Sequence, residues 1–127
     1  MITDTTDLTL TPAAAALAVA DLIERQGLAR DHYYDRDHPL PPRQAPLCLL
    51  GAIAAVCGYP PDAWAYDADA RTPSWRLALD TADALIDWLA LDHDEAYTES
   101  LGRWSDERDA TTVAAELRDF ATGVLSS

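Results

Sequence analysis

The first regular pattern of apolar positions in the chain predicts an α-helix from Pro12 to Gln26. Thr11 is a favourable N-cap residue, and Pro12 follows it at the first helical position, where the missing N–H of proline costs nothing. Apolar side chains then recur every three or four residues along one face. Gly27 is the residue type that most often ends a helix, because it adopts positive φ without strain.

A second segment, from Pro46 to Cys57, is apolar on every face. A helix without a polar face is typical of one surrounded by other helices, so we predict that this helix lies at the centre of the fold. Gly51 lies inside it, where glycine costs about 1 kcal/mol relative to alanine in an exposed helix. We expect close approach of a second backbone to be the reason for this glycine.

The second half of the chain carries three more apolar patterns at helical spacing. The longest predicts a helix from Pro73 to Leu91. Asp92 or His93 is predicted to cap the next helix, and Thr111 or Thr112 to cap the last. The apolar side chains of these last two helices are Tyr97, Leu101, Trp104, Val113, Leu117, Phe120, Ala121 and Val124.

No segment alternates apolar and polar residues over the length of a β-strand. With a short helical turn after Pro61, the patterns predict an all-α fold, a compact single-domain bundle of five or six helices around the central apolar helix. A chain of 127 residues is long enough for one hydrophobic core and too short for two. The helical domain is expected over residues 12–125, after a flexible N-terminus over residues 1–11.

The stretch from Leu28 to Gln44 interrupts the helical patterns with three prolines. We expect a long irregular loop, and such loops in compact domains are disproportionately functional. Tyr33 and Tyr34 are candidates for an aromatic-lined groove, beside His38. The loop also contains metal-ligand residue types, but no helical or turn spacing fixes their geometry, so we predict a solvated charged loop with no metal and no cofactor. These ligand types are His32, Asp35, Asp37 and His38.

The two cysteines, Cys48 and Cys57, are nine positions apart. In a helix they would be about 13.5 Å apart on opposite faces, so they are predicted not to form a disulfide. Unpaired thiols suit a reducing cytoplasm, and the start of the chain lacks the charged and apolar regions of a signal peptide. The longest apolar run, from Leu47 to Gly58, is shorter than the roughly 20 residues that cross a bilayer. We expect a cytoplasmic protein with no membrane partner.

The chain is strongly acidic, with 22 acidic residues against nine basic residues and a net charge of −13. This balance argues against direct binding to nucleic acid or anionic lipid, because affinity for phosphate comes from clustered cations. A minor alternative is an inhibitor that mimics the charge of nucleic acid. The chain contains no lysine and no asparagine, which favours a high-GC genome such as that of an actinobacterium or its phage, with a halophile as the rival source.

The motifs that carry strong chemical signals are missing from the chain, including a P-loop, a Gly-x-Gly-x-x-Gly turn, a Cys-x-x-Cys pair and a His-Glu-x-x-His helix. A nucleophile–base pairing of Cys48 with a histidine is conceivable. It is disfavoured, because a thiol inside an apolar helix has a raised pKa and forms little thiolate. We therefore favour a protein that is not an enzyme.

Four short motifs occur in order between Ala13 and Phe120. They are Leu22-Ile23-Glu24-Arg25-Gln26-Gly27, Cys48-Leu49-Leu50-Gly51-Ala52-Ile53, Trp104-Ser105-Asp106 and Thr112-Val113. This order resembles a small actinobacterial and phage family, the domain of unknown function 6197. Ser105 replaces the asparagine usual in that family, and Thr111-Thr112 replaces an Arg-Thr pair. The resemblance implies no activity.

The sequence thus favours a non-enzymatic module that binds a protein or a small molecule. Its candidate binding residues are Tyr33, Tyr34, His38, Trp104 and Asp106, if the Tyr33-Tyr34 loop meets the Trp104-Asp106 turn in space. The main alternative is a small hydrolase or transferase that uses histidine or aspartate from the loop over residues 28–44. Packing and helix capping explain the same residues of the Trp104-Asp106 turn without any binding role.

Overall fold

The computed structural model describes residues 11–29, 46–65 and 73–126. Within these ranges the chain forms five α-helices, a short 3-10 helix at Pro61–Ala65 and a π-helical turn at Thr98–Gly102. Apart from one isolated β-bridge between Leu28 and Leu47, the described residues contain no β-structure, so the all-α prediction is confirmed. The helices are α1 Pro12–Gln26, α2 Leu49–Val56, α3 Pro73–Trp88, α4 Arg103–Asp106 and α5 Ala110–Ser126.

Helix α1 has the predicted bounds, because the residues that flank it in sequence form hydrogen bonds with its backbone at both ends. The Thr11 hydroxyl oxygen accepts a hydrogen bond from the Ala14 N–H at 3.2 Å. At the other end, Gly27 has a φ of 92° and its N–H donates to the Ile23 carbonyl oxygen at 2.8 Å. The positive φ explains why a glycine ends this helix.

Helix α2 begins at Leu49, three residues later than the prediction of a helix from Pro46 to Cys57. The backbone of Leu47 is engaged elsewhere: its carbonyl oxygen accepts from the Ala29 N–H at 3.0 Å, and its N–H donates to the Gly27 carbonyl oxygen at 3.4 Å. These bonds tie Leu47 to the end of α1 and exclude it from the helix. The central position of α2 is confirmed, since its residues from Leu49 to Ala54 are all buried.

Cys48 is therefore the N-cap of α2 and not an interior helical residue. Its sulfur accepts a hydrogen bond from the Gly51 N–H at 3.2 Å. Both Cys48 and Cys57 are buried and unpaired, as predicted. Gly51 is buried as well.

Helix α3 ends at Trp88, three residues before the predicted Leu91. The chain turns at Ala90, which has a φ of 57°, and the Leu91 N–H donates back to the Ile86 carbonyl oxygen at 2.9 Å. This is the hydrogen bond of a Schellman cap. Glycine usually occupies the position of positive φ, so alanine there gave no stop signal in the sequence.

The caps predicted for the last two helices need correction. Asp92 accepts from the Asp94 N–H at 2.8 Å and shapes a turn, and the helical segment with Trp104 starts only at the π turn. Helix α5 is capped by Asp109, which accepts from the Thr112 N–H at 2.8 Å, in place of a threonine. An aspartate two residues before Thr111 competes well as an N-cap.

The core lies where α2 meets α1, α3, the 3-10 helix and the π turn, and α5 lies along α1. Arg118 of α5 reaches across to two carboxylates of α1, donating to Asp21 at 2.9 Å and also to Glu24. No helix among the described residues is long and apolar enough to cross a membrane. The largest fully buried side chains include Phe120, Ile23, Leu49, Leu50, Ile53, Leu85, Ile86, Leu101 and Leu117.

Candidate functional site

The predicted binding residues divide into two groups. Tyr33, Tyr34 and His38 lie outside the described residues, as does the rest of the charged loop over residues 30–45. Whether this loop meets the Trp104-Asp106 turn therefore stays a prediction. Trp104 and Asp106 lie in helix α4.

Trp104 is covered by a neighbouring side chain. Its exposed fraction is 8%, and the guanidinium carbon of Arg108 lies 4.5 Å from the centroid of its ring. The same guanidinium donates a hydrogen bond to the Trp104 carbonyl oxygen at 2.8 Å. Trp104 therefore anchors α4 in the core, and little of its surface is available to a ligand.

Asp106 lies near the N-terminus of the central helix, where its negative charge acts on the Cys48 thiol. The pKa of this thiol is raised to about 11, first by burial and further by the Asp106 carboxylate. Two of the motifs separated in sequence thus meet in the fold. Ser105, next to Asp106, is fully buried, and its hydroxyl finds no hydrogen-bond partner among the described residues.

The thiols are poorly suited to nucleophilic chemistry. Burial raises the pKa of Cys57 to about 11 as well, so both cysteines stay protonated at neutral pH. His93 is the one histidine within the described ranges, and it lies on the surface, where it pairs with Asp87. Across these ranges no group of three or more histidine, cysteine or acidic side chains could hold a metal ion. The described residues therefore assemble no nucleophile–base pair.

Four aromatic rings pack in series beside α2. Trp75 contacts Tyr59 and Trp64 with ring centroids 5.1 and 4.8 Å apart, and Trp64 contacts Tyr97 at 5.2 Å. The Trp64 indole N–H donates to the Leu50 carbonyl oxygen at 2.7 Å, which fixes the 3-10 helix to α2. Core packing thus accounts for these aromatic residues.

Trp88 differs from the other tryptophans because it is 43% exposed at the end of α3. Its indole N–H donates to the Glu116 carboxylate at 3.1 Å, and its ring meets Phe120 nearly edge-on at 6.0 Å. It also lies over Gly123, where an added Cβ would be 2.9 Å from two ring carbons. Three residues of α5 therefore hold a large aromatic side chain in place on the surface.

Carboxylates extend from Trp88 along the outside of α3. Asp80, Asp83 and Asp87 follow at intervals of three and four residues, so they lie on one side of the helix. The Asp80 side chain is 47% exposed and that of Asp87 is 75% exposed. Together with Ala84 and Trp88, these residues form what we term the α3 outer surface.

Two groups at the edge of the α3 outer surface respond to its charge. The Tyr97 hydroxyl donates to Asp83 at 2.9 Å, and burial together with this bond raises the pKa of Tyr97 to about 12. The hydrogen bond to Asp87 raises the pKa of His93 above its ordinary value, with smaller contributions from Asp83 and Asp92. The His93 shift thus reflects the neighbouring carboxylates, whereas burial is the larger cause of the Tyr97 shift.

The sequence did not distinguish Trp88 as a surface residue, because Trp88 follows Leu85 at helical spacing in the apolar stripe of the helix predicted from Pro73 to Leu91. The stripe does hold Leu85, which is buried, but Trp88 stands at its edge. The available signal was the spacing of three aspartates, the last of which directly precedes Trp88, because they mark the solvent side of α3. The contact with Gly123, far along the chain, gave no local signal.

Comparisons with known proteins identify one family. A family model described as a family of unknown function (DUF6197) matches residues 7–122 of the chain. No curated protein matches, and no solved structure matches.

Proposed function

The chain belongs to the DUF6197 family, whose function is unknown, and from this premise we propose that it is a non-enzymatic module that binds a protein partner through the α3 outer surface. The observation that carries the proposal is the exposure of Trp88 together with its fixed position. Tryptophan is among the residues most enriched at the energetic centres of protein interfaces.

Isolated apolar side chains on a surface are common and need no functional explanation. Leu17 of α1 is an example, with 39% of its surface exposed. Trp88 differs from Leu17 in size and in its support by Glu116, Phe120 and Gly123. A side chain held in its bound position loses little conformational entropy when a partner covers it, which favours affinity.

The chemistry of the described residues supports binding over catalysis. Both thiols are buried and protonated, and the exposed imidazole of His93 pairs with a carboxylate at the surface. The alternative, a hydrolase or transferase built on the loop over residues 28–44, draws no support from any contact of the described residues.

We further propose a cytoplasmic location in a high-GC host such as an actinobacterium or in its phage. The support for the location is the pair of unpaired cysteines, which suits a reducing compartment. The support for the host is the absence of lysine and asparagine from a chain rich in alanine, aspartate and arginine.

Site-directed photo-crosslinking in the native host tests the binding function. A p-benzoylphenylalanine in place of Asp119, which is exposed and one helical turn from both Glu116 and Gly123, places the probe beside Trp88. The same probe in place of Leu17 is the matched control, since it reports sticking to an exposed apolar site elsewhere.

We expect a discrete crosslinked adduct from position 119 that is lost on Trp88→Ala and not formed from position 17. Identical adducts from both positions, or no adduct from position 119, would contradict the proposal. Circular dichroism of the Trp88→Ala variant separates loss of the surface from loss of the fold, because Trp88 is only partly buried.

A further inference from the structure

We infer that the partner of the α3 outer surface is a protein segment that presents arginine or lysine side chains beside an apolar residue. The inference rests on the proposed function, because it names the chemistry of the partner at the same surface. Its basis is the sign and the spacing of the carboxylates on the α3 outer surface and of Glu116.

Negative charge dominates this surface. Glu116 accepts a hydrogen bond from the Trp88 indole, and Asp80, Asp83 and Asp87 lie along the same side of α3. Among the described residues, Arg76 pairs with one of them, its Nε lying 3.2 Å from Asp80. A cationic partner would be electrostatically complementary to these carboxylates, whereas an acidic or neutral partner would remove them from water without a compensating interaction.

Other groups near Asp87 do not cancel the excess of negative charge on the α3 outer surface. His93 neutralises Asp87 only when its ring is protonated, and Asp92 adds another carboxylate beside it. The Tyr97 hydroxyl that binds Asp83 is neutral, with a pKa of about 12. Counted over the described residues, the surface therefore remains acidic at neutral pH even after its internal contacts are included.

Trp88 makes arginine or lysine a better match than a small inorganic cation. A cation beside an indole ring gains a cation–π attraction, and the guanidinium group also forms paired hydrogen bonds with carboxylates. An ion pair next to an aromatic side chain that excludes water is also stronger than one fully in solvent. The described residues contain no cluster that could hold a metal ion.

The length of the surface indicates more than one cation. Asp80 and Asp87 are two turns apart on α3, which corresponds to about 10.5 Å along the helix axis. Two basic residues seven positions apart on a partner helix have the same separation, and an apolar residue one turn beyond the one that pairs with Asp87 would face Trp88, which follows Asp87 at the end of α3. A single small amine would engage only one end.

A designed helical peptide provides the probe. It carries arginine at two positions seven residues apart and leucine one turn beyond one of them on the same face, in an alanine-rich helix. The matched peptides replace both arginines with glutamine or with glutamate. Binding of each labelled peptide is measured by fluorescence anisotropy at about 20 mM and about 150 mM salt, because exposed ion pairs weaken as salt screens them.

We expect the arginine peptide to bind about tenfold more tightly than the glutamine peptide at low salt, and the glutamate peptide not to bind. The double variant Asp80→Asn/Asp87→Asn should lose this advantage. The control Glu99→Gln/Glu107→Gln removes the same charge from two exposed residues elsewhere and should keep it. Both double variants alter exposed side chains and are expected to retain the fold.

Two outcomes would overturn the inference and leave the proposed function intact. One is equal binding of the arginine and glutamine peptides, both lost on Trp88→Ala, which would indicate an uncharged partner. The other is no peptide binding together with a positive crosslink at position 119.

A different result, an equal loss of affinity in the two double variants, would show general attraction to an acidic protein and would also overturn the inference. No peptide binding and no crosslink would defeat the proposed function itself.

Discussion

Replacing Gly123 by alanine tests how Trp88 is held on the surface. The new methyl group would lie 2.9 Å from Cζ3 and Cη2 of the indole ring. Carbon atoms in contact prefer separations of about 3.5–4.0 Å, so the ring has to move away by roughly 0.6–1.1 Å. The far end of a half-exposed side chain can make such a movement, and α5 itself need not shift.

The effect on stability is expected to be small, because two contributions oppose each other. Alanine in a helix is more favourable than glycine by about 0.5–1 kcal/mol. Displacing the ring weakens the hydrogen bond from Trp88 to Glu116 and the edge contact with Phe120, each of which is worth roughly 0.5–1.5 kcal/mol. The hydrogen bond to Glu116 is exposed, so the free energy lost with it lies at the low end of this range. We therefore expect a change in the free energy of unfolding of about 1 kcal/mol or less.

The position of the ring should change even though the stability does not. We expect the Trp88 indole N–H resonance of the Gly123→Ala variant to shift in a ¹H–¹⁵N spectrum, and peptide binding at the α3 outer surface to weaken. Gly102→Ala is the matched control, since its new Cβ would meet its neighbours at ordinary distances of 3.9–4.0 Å. A Gly123→Ala variant with an unchanged Trp88 resonance and the full stability gain of alanine would refute this account of the contact.

Four further predictions follow from the sequence and the structure. Gly51→Leu should lower the free energy of unfolding in urea by about 1–3 kcal/mol, because a side chain has to enter a buried surface of the central helix. The raised pKa values of Cys48 and Cys57, about 11 against 9.0, together with burial of both thiols, should make them react with a disulfide reagent at pH 8 at least about tenfold more slowly in the folded than in the unfolded protein. The pKa of His93 is raised in the folded protein, so its contact with Asp87 stabilises the fold at pH values below the unfolded pKa. This stabilisation is lost as the pH rises through the folded pKa. An NMR titration of the ring should show the raised pKa, and Asp87→Asn should lower that pKa. Finally, the protein should not bind duplex DNA or RNA at about 150 mM salt in an anisotropy titration, since its cations are few and scattered; micromolar, salt-sensitive binding would contradict this.

The sequence predicted best those features that neighbouring residues determine. Both ends of α1 depend on residues within four positions of the end, Thr11 and Gly27, and the prediction was correct. The start of α2 depends on hydrogen bonds between Leu47 and residues about twenty positions earlier, which no local pattern reveals. The end of α3 depends on a positive φ at Ala90, a residue type that rarely adopts it.

The candidate site was harder to predict, because its principal residue is exposed for a reason that lies elsewhere in the chain. The periodicity of α3 places Trp88 at the boundary between the apolar and the polar side. A buried Trp88 and an exposed Trp88 would both fit this pattern. Gly123, 35 residues later, leaves room for the indole ring to lie on the outside of α5. Predicting that contact requires the packing of α3 against α5.

The residues that carry the family resemblance lie mainly in the core, which separates the family's fold from the proposed binding function. Cys48 is 6% exposed, Trp104 is 8% exposed and Ser105 is fully buried, so these motif residues belong to the core. None of them belongs to the α3 outer surface. Substitutions such as Trp104→Ala should therefore reduce the free energy of unfolding and affect binding only through loss of the fold. In contrast, Asp80→Asn/Asp87→Asn should reduce binding and leave the unfolding midpoint almost unchanged, because exposed ion pairs contribute little to stability. A Trp104→Ala variant that remains fully stable but no longer binds would place the function in the motifs and move the site away from α3.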